Sequence, residues 1–193
     1  MNILYIHGFQ SSGNSNTVKK IAQFLDDELH SPDIPSSPKE AILFLNDYMK
    51  NNQIDIVIGT SLGGLYAMQL NKPKIIINPA LKFSKLPGKY LYLNKRENNE
   101  TEFYFDSDDI QYVMDMINPH TYDPEYIGLS YVIIGKYDEL INFNEIDLDY
   151  YFTYYDSIQY VDMGHRLSEE VIENVLIKTI AKVKKNIETI KNI

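Results

Sequence analysis

Residues 54–67 read IDIVIGTSLGGLYA. A β-branched run from Ile54 to Ile58, broken only by Asp55 near its start, meets Gly59, and Ser61 then stands among Gly59, Gly63 and Gly64 at the start of a helix-like segment running from about Leu62 to Leu70. A strand that is apolar throughout has no solvent face, so it belongs inside a sheet covered on both sides. Gly59-Thr60-Ser61-Leu62-Gly63 fits G-x-S-x-G between a strand and a helix. A serine at so sharp a turn sits near strained backbone angles, and its neighbours two residues away must be small. The same turn projects the hydroxyl clear of the sheet, beside a helix N-terminus that favours developing negative charge. The competing readings are an ordinary strand–glycine–helix turn and a phosphate-binding loop, and no lysine follows the glycines as a P-loop requires.

Outward from this stretch, short β-branched runs alternate with helical spacing. Asn2 to Ile6, Lys74 to Ile77, Tyr131 to Ile134 and Ile158 to Val161 read as strands, and residues 31–37 hold at most a very short one between prolines. Helices are expected over 15–29 (apolar Val18, Ile21, Phe24, Leu25, Leu29), from Ser37-Pro38 onward, near Asp108 to Ile117, and from Ser168 to the end. In the last of these Val171, Val175, Leu176, Ile180, Val183, Ile187 and Ile190 are expected on one face, with Ser168 as N-cap. The pattern predicts an α/β protein: a three-layer α/β/α sandwich around a mostly parallel sheet of about six strands. Nothing divides residues 1–193, so a single domain is expected. The polar, tyrosine-rich stretch 82–130 is too long for a plain crossover and is either a lid-like excursion or an extended crossover.

The totals exclude several classes. The 193 residues carry 18 Lys+Arg against 27 Asp+Glu, a net charge of −9, with no basic run; nucleic-acid binding is not expected, although a local basic patch could still receive a small anion. Without cysteine there is no disulfide, thiolate metal site or cysteine nucleophile. No run approaches the ~20 apolar residues of a membrane helix, and the start lacks a signal-peptide pattern, so a cytoplasmic protein without membrane insertion is expected.

A serine hydroxyl needs a base to become a useful nucleophile. Of the four histidines, His165 stands on a glycine-containing loop after the last strand, which completes the order serine, acid, histidine. His120 lies in the irregular stretch and reads as a surface or lid residue. His30 is expected to end the first helix, where a cation suits the dipole. The acid that orients His165 should follow the strand at 131–134; Asp138 is the candidate, with Glu139 as competitor, Asp106, Asp108 and Asp109 as weaker rivals, and a helix cap as its alternative role. Oxyanion donors are expected at the backbone N–H of Leu62 and of Phe9, with Gln10 second. Gly8 brings that loop against the serine turn, and His7 braces it. Gly59 and Gly63 supply the small neighbours, and Gly64 close helix–strand packing. Neither metal nor cofactor is called for.

These segments together resemble the α/β-hydrolase superfamily, and within it the small bacterial YqiA-like esterases. The resemblance rests on YIHGFQSSGNSNT, IGTSLGGLYA, INPA at 77–80, the DEL of IGKYDEL and the GH of DMGHRLS, in the family's order over most of the chain. Such proteins begin directly at the strand before the HG loop, as this chain does. The acid loop differs by the additional Lys136 and Tyr137, and Arg166-Leu167 follows the histidine in place of a small apolar pair. The resemblance implies a minimal α/β-hydrolase fold and hydrolysis of a small acyl ester or thioester by Ser61, Asp138 and His165. Acyl transfer with the same residues is the alternative, and a non-catalytic binding module is the rival from another class. Tyr90, Tyr92, Tyr104, Tyr112, Tyr122 and Tyr126 are expected either to line an acyl pocket or to cover the sheet edge.

Overall fold

A computed structural model describes residues 1–82, 91–97, 101–117, 126 and 128–192 of the chain. Six strands form one sheet: β1 (Asn2–Ile6), β2 (Glu28–His30), β3 (Ile56–Thr60), β4 (Lys74–Ile77), β7 (Ser130–Gly135) and β8 (Ser157–Val161). Their spatial order is β2-β1-β3-β4-β7-β8, and every pairing is parallel. Between β4 and β7 the chain makes a separate antiparallel pair, β5 (Tyr92–Lys95) and β6 (Glu102–Phe105). The helices are α1 (Asn16–Phe24), α2 (Pro38–Asn51), α3 (Leu62–Met68), α4 (Ser107–Met116), α5 (Leu148–Phe152), α6 (Glu169–Val171) and α7 (Ile177–Lys191), the last two joined by a π-helical Ile172–Leu176.

Alternation along the central strands separates two cores. Leu4, Ile6, Val57, Ile76, Val132 and Ile134 face α2, α3 and α4. Ile3, Tyr5, Ile56, Ile58, Ile75, Ile77 and Ile133 face α1, α6 and α7. Both faces are apolar because both are covered, which makes this a three-layer α/β/α sandwich.

The connections position the site. β1 leads through α1 to β2 on one side, whereas β3 leads through α3 to β4 on the other. The two helices pack on opposite faces, so a crevice opens at the carboxyl ends of β1 and β3, the switch point where open α/β sheets hold ligands. Ile6 pairs with Gly59 there, which sets the HG loop directly beside the serine turn.

Several local expectations need correction. α1 ends at Phe24, and Glu28–His30 forms the edge strand β2. His30 is therefore a strand residue, its Nδ1 3.3 Å from the Tyr48 hydroxyl. Pairing with β1 supplies three residues with partners that a helix extension could not. Ser37 holds the N-cap position of α2 but makes no side-chain cap bond. Ser168 does cap α6, accepting from Val171 N at 3.2 Å. Ile190 is 50% exposed and Ile172 is buried, because the extra residue of the π-turn rotates the apolar face. Asp106 and Asp109 close a capping box at the start of α4 and are not part of the serine site. Tyr92 and Tyr104 are exposed and pack on each other at 6.0 Å, while Tyr112 and Tyr126 pack against the two cores. Tyr90, Tyr122 and His120 lie outside the described residues.

Candidate active site

Ser61 occupies φ 57, ψ −120, a conformation that a residue with a side chain adopts only where its surroundings impose it. Those surroundings are visible: Ser61 N donates to Ile77 O at 3.0 Å, and its carbonyl accepts from Gly64 N and Ala80 N at 2.9 and 3.2 Å. A Cβ on Gly59 would lie 2.2 Å from Gly63 O, and one on Gly63 would lie 2.2 Å from Ile6 O. Both positions therefore exclude side chains. Gly64 faces Pro79 and Ile76 at 3.3–3.4 Å, the close packing of α3 on β4.

His165 Nε2 lies 3.0 Å from Ser61 Oγ, and its Nδ1 lies 2.8 Å from Asp138 Oδ2. With a carboxylate at Nδ1 the neutral ring carries its proton there, which leaves Nε2 to accept from the serine hydroxyl. The Asp138 side chain is 1% exposed and that of His165 11%. Asp138 Oδ1 also accepts from Leu140 N and Ile141 N at 2.9 and 2.8 Å, so the capping role and the contact to histidine coexist on two oxygens. Glu139 takes a different atom: its Oε2 accepts from the backbone N–H of His165 at 2.9 Å.

On the other side of Ser61, a Cβ at Gly8 would lie 3.1 Å from Ser61 Cβ and 3.2 Å from Thr60 O, so a side chain there would crowd the serine turn. His7 is buried behind it, with Nδ1 donating to Gly8 O at 3.0 Å and Nε2 accepting from Ile34 N at 3.4 Å. Burial pushes its pKa down to about 4, so the ring is a neutral brace that uses both nitrogens. Leu62 is the first residue of α3, where an N–H has no carbonyl one turn back to bond. Gln10 has φ 60, and its side chain reaches Asn94 Oδ1 of β5 at 3.2 Å.

A profile of the uncharacterised protein family UPF0227 matches residues 2–182. The chain belongs to that family. A search of curated proteins finds no significant match. Solved structures with the same fold include alpha/beta hydrolase domain-containing protein 10 from mouse (16% identity, 96% of this chain and 90% of that one, TM-score 0.64). A monoacylglycerol lipase of Paleococcus ferrophilus is similar at 11% identity over 94% of each chain, also with TM-score 0.64. Est1E from Butyrivibrio proteoclasticus, with ferulic acid bound, is similar at 14% identity over 93% and 89% of the two chains, with TM-score 0.56. At these identities the likeness establishes the α/β-hydrolase fold.

In this UPF0227 protein the residue that joins the two halves of the site is Asn78, at the end of β4. It is fully buried at φ 42. Its Nδ2 donates to the carbonyls of Gly164 and His165, both at 3.0 Å, and its Oδ1 accepts from Gly135 N at 2.7 Å. One side chain thus ties the start of the acid loop to the histidine loop. Sequence reasoning passed over it and over the backbone contact of Glu139. The available signal was an asparagine closing an apolar strand, since asparagine is among the few residues that adopt positive φ readily. Beside the HG loop lies a small open cleft of about 30 Å³ whose lining includes Phe9, Leu62, Tyr66, Arg96 and Phe103. Among the described residues no group of His, Asp and Glu is arranged to hold a metal ion.

Proposed function

We propose that this protein is a serine hydrolase that cleaves carboxylic esters or thioesters through an acyl-enzyme on Ser61. The observation that carries the reading is the continuous hydrogen-bonded line Ser61 Oγ–His165 Nε2 and His165 Nδ1–Asp138 Oδ2, begun at a strained strand-to-helix turn. Strain of this kind costs ~1–3 kcal/mol, and it persists where the surroundings over-determine the conformation. That two solved relatives of the fold are named a monoacylglycerol lipase and an esterase supports an ester as substrate class.

In the proposed reaction His165 Nε2 takes the Ser61 proton as Oγ attacks the acyl carbonyl. Asp138 holds the ring and stabilises the imidazolium. The oxyanion is received by the N–H groups of Leu62 and Phe9, with Gln10 as the second choice on that loop. The imidazolium then protonates the departing alcohol or thiol. A water deprotonated by the same nitrogen releases the acid and restores Ser61. Transfer of the acyl group to an alcohol or amine would use the same residues with another acceptor.

A fluorophosphonate tests this reading. The folded protein is expected to form a covalent adduct on Ser61, detected by peptide mass spectrometry, and Ser61→Ala to form none. A folded wild-type protein that stays unlabelled would sink the proposal.

A further inference from the structure

We propose that the cleft beside the HG loop is an anion subsite: it receives an acyl group that bears a carboxylate or phosphate-type anion, held by Arg96 and Tyr66. The inference rests on the serine-hydrolase reading and names its substrate class. Gly8, Phe9 and Leu62 line the cleft, so it opens at the place where the acyl carbonyl would sit. Phe9, Phe103, Ile34 and Pro35 give it apolar walls suited to a short chain. Two polar groups in the lining keep hydrogen-bond donors that the described residues do not use.

The first is the Arg96 guanidinium, which donates to Ser11 O at 2.7 Å and to Ile34 O. It stacks 5.6 Å from the Phe103 ring and has no carboxylate partner among the described residues. Two of its five N–H donors are engaged, which leaves three. In a chain with 27 acidic residues this is unusual, and the other arginine, Arg166, does pair, with Glu97 at 2.6 Å. Asp33 and Asp109 are engaged elsewhere: Asp33 accepts from Gly13 N at 2.8 Å, and Asp109 closes the capping box of α4.

The second group is the Tyr66 hydroxyl. Tyr66 is 3% exposed, lies in the same lining, and its hydroxyl has no hydrogen-bond partner among the described residues. That hydroxyl is free to donate to a ligand acceptor placed in the cleft. His7, also in the lining, is neutral, so the cleft presents one positive charge and one phenolic donor. That set suits a single anionic head, for which the guanidinium offers a two-pronged contact.

The test is calorimetric titration of Ser61→Ala protein with monomethyl glutarate, adipate and suberate, and with the ω-phosphonate analogues. Methyl esters of the matching neutral acids serve as reference. A charged ester at one of these lengths is expected to bind about tenfold or more tightly than its neutral partner. Adding Arg96→Met is expected to erase that ratio, Arg96→Lys to keep part of it, and Tyr66→Phe to reduce it a few-fold. The ratio is the readout because a variant that merely loosens the cleft weakens both esters together. If Arg96→Met fails to fold, Arg96→Lys and Tyr66→Phe decide. Equal affinity for charged and neutral esters, no binding of any charged ester, or an advantage that survives these substitutions overturns the subsite. The carboxylate and phosphonate arms identify which anion is preferred. Turnover by the wild type separates the two readings. Arg96-dependent binding without turnover leaves the subsite and removes the hydrolase, while turnover of neutral esters without charge preference does the reverse.

Discussion

Two neighbouring carboxylates reach the same histidine through different atoms. Asp138 meets the ring nitrogen and Glu139 the backbone N–H, each at hydrogen-bond distance. Only the first can set the tautomer and stabilise a ring cation. Asp138→Asn is therefore expected to lower kcat by about 10³- to 10⁴-fold with the fold retained. In Glu139→Gln the amide oxygen can still accept from His165 N, so kcat should change by no more than a few-fold. Steady-state kinetics on one ester decides, and the opposite pattern would exchange the two roles. His7 gives a pH prediction. Its folded pKa lies near 4, below the ordinary 6.5, so the unfolded chain binds more protons between these values. Stability should be fully present above about 6.5, fall as pH drops towards about 4, and level off below, by up to ~3 kcal/mol. Denaturant midpoints of wild type and His7→Gln across that range check it; the variant should show a flatter profile. At this scale the glycines and the order serine, acid, histidine were legible, because tight turns and chain order are local properties. Which of two adjacent acids faces the ring was decided by the turn that directs Asp138 Oδ2 inward.

At the scale of elements, the end of β4 links the loops after β7 and β8. Removing the Asn78 side chain strands one N–H and leaves two carbonyls without their donor, all beside the histidine. Asn78→Ala should cost about 1–3 kcal/mol in stability and lower kcat tenfold or more with little change in KM. Denaturation and steady-state kinetics measure the two effects, and unchanged kcat would show that the histidine loop holds its place without the asparagine. The central strands were readable because burial on both faces leaves an unbroken apolar run. β2 was hidden, since Glu28–His30 is polar and becomes a strand only by pairing with β1. The π-turn and the β5–β6 pair escaped for a related reason: neither has a local periodicity that distinguishes it.

For the whole molecule, the two sheets differ in how they are held. β1, β3, β4 and β7 each have two parallel neighbours and are buried, whereas β5 and β6 pair only with each other and expose Tyr92, Leu93 and Tyr104. Native-state hydrogen exchange should find the β5–β6 amides opening well before the central strands, which should exchange only on global unfolding. Comparable protection in both sheets would contradict this. Arg96 follows directly on β5, so the same experiment with a charged ester bound reports whether ligand binding slows that opening.

By itself the sequence determined the layer architecture and the chemistry offered at each loop, because apolar periodicity and glycine spacing act over a few residues. Tertiary structure alone decided the strand order, the switch point between the parallel strands β1 and β3, and therefore which loops meet. It also made Asn78 a latch and brought Arg96, which has no carboxylate partner among the described residues, and Tyr66 into one cleft. Contacts of that kind join residues far apart in the chain, and their geometry is set by how the sheet and helices pack.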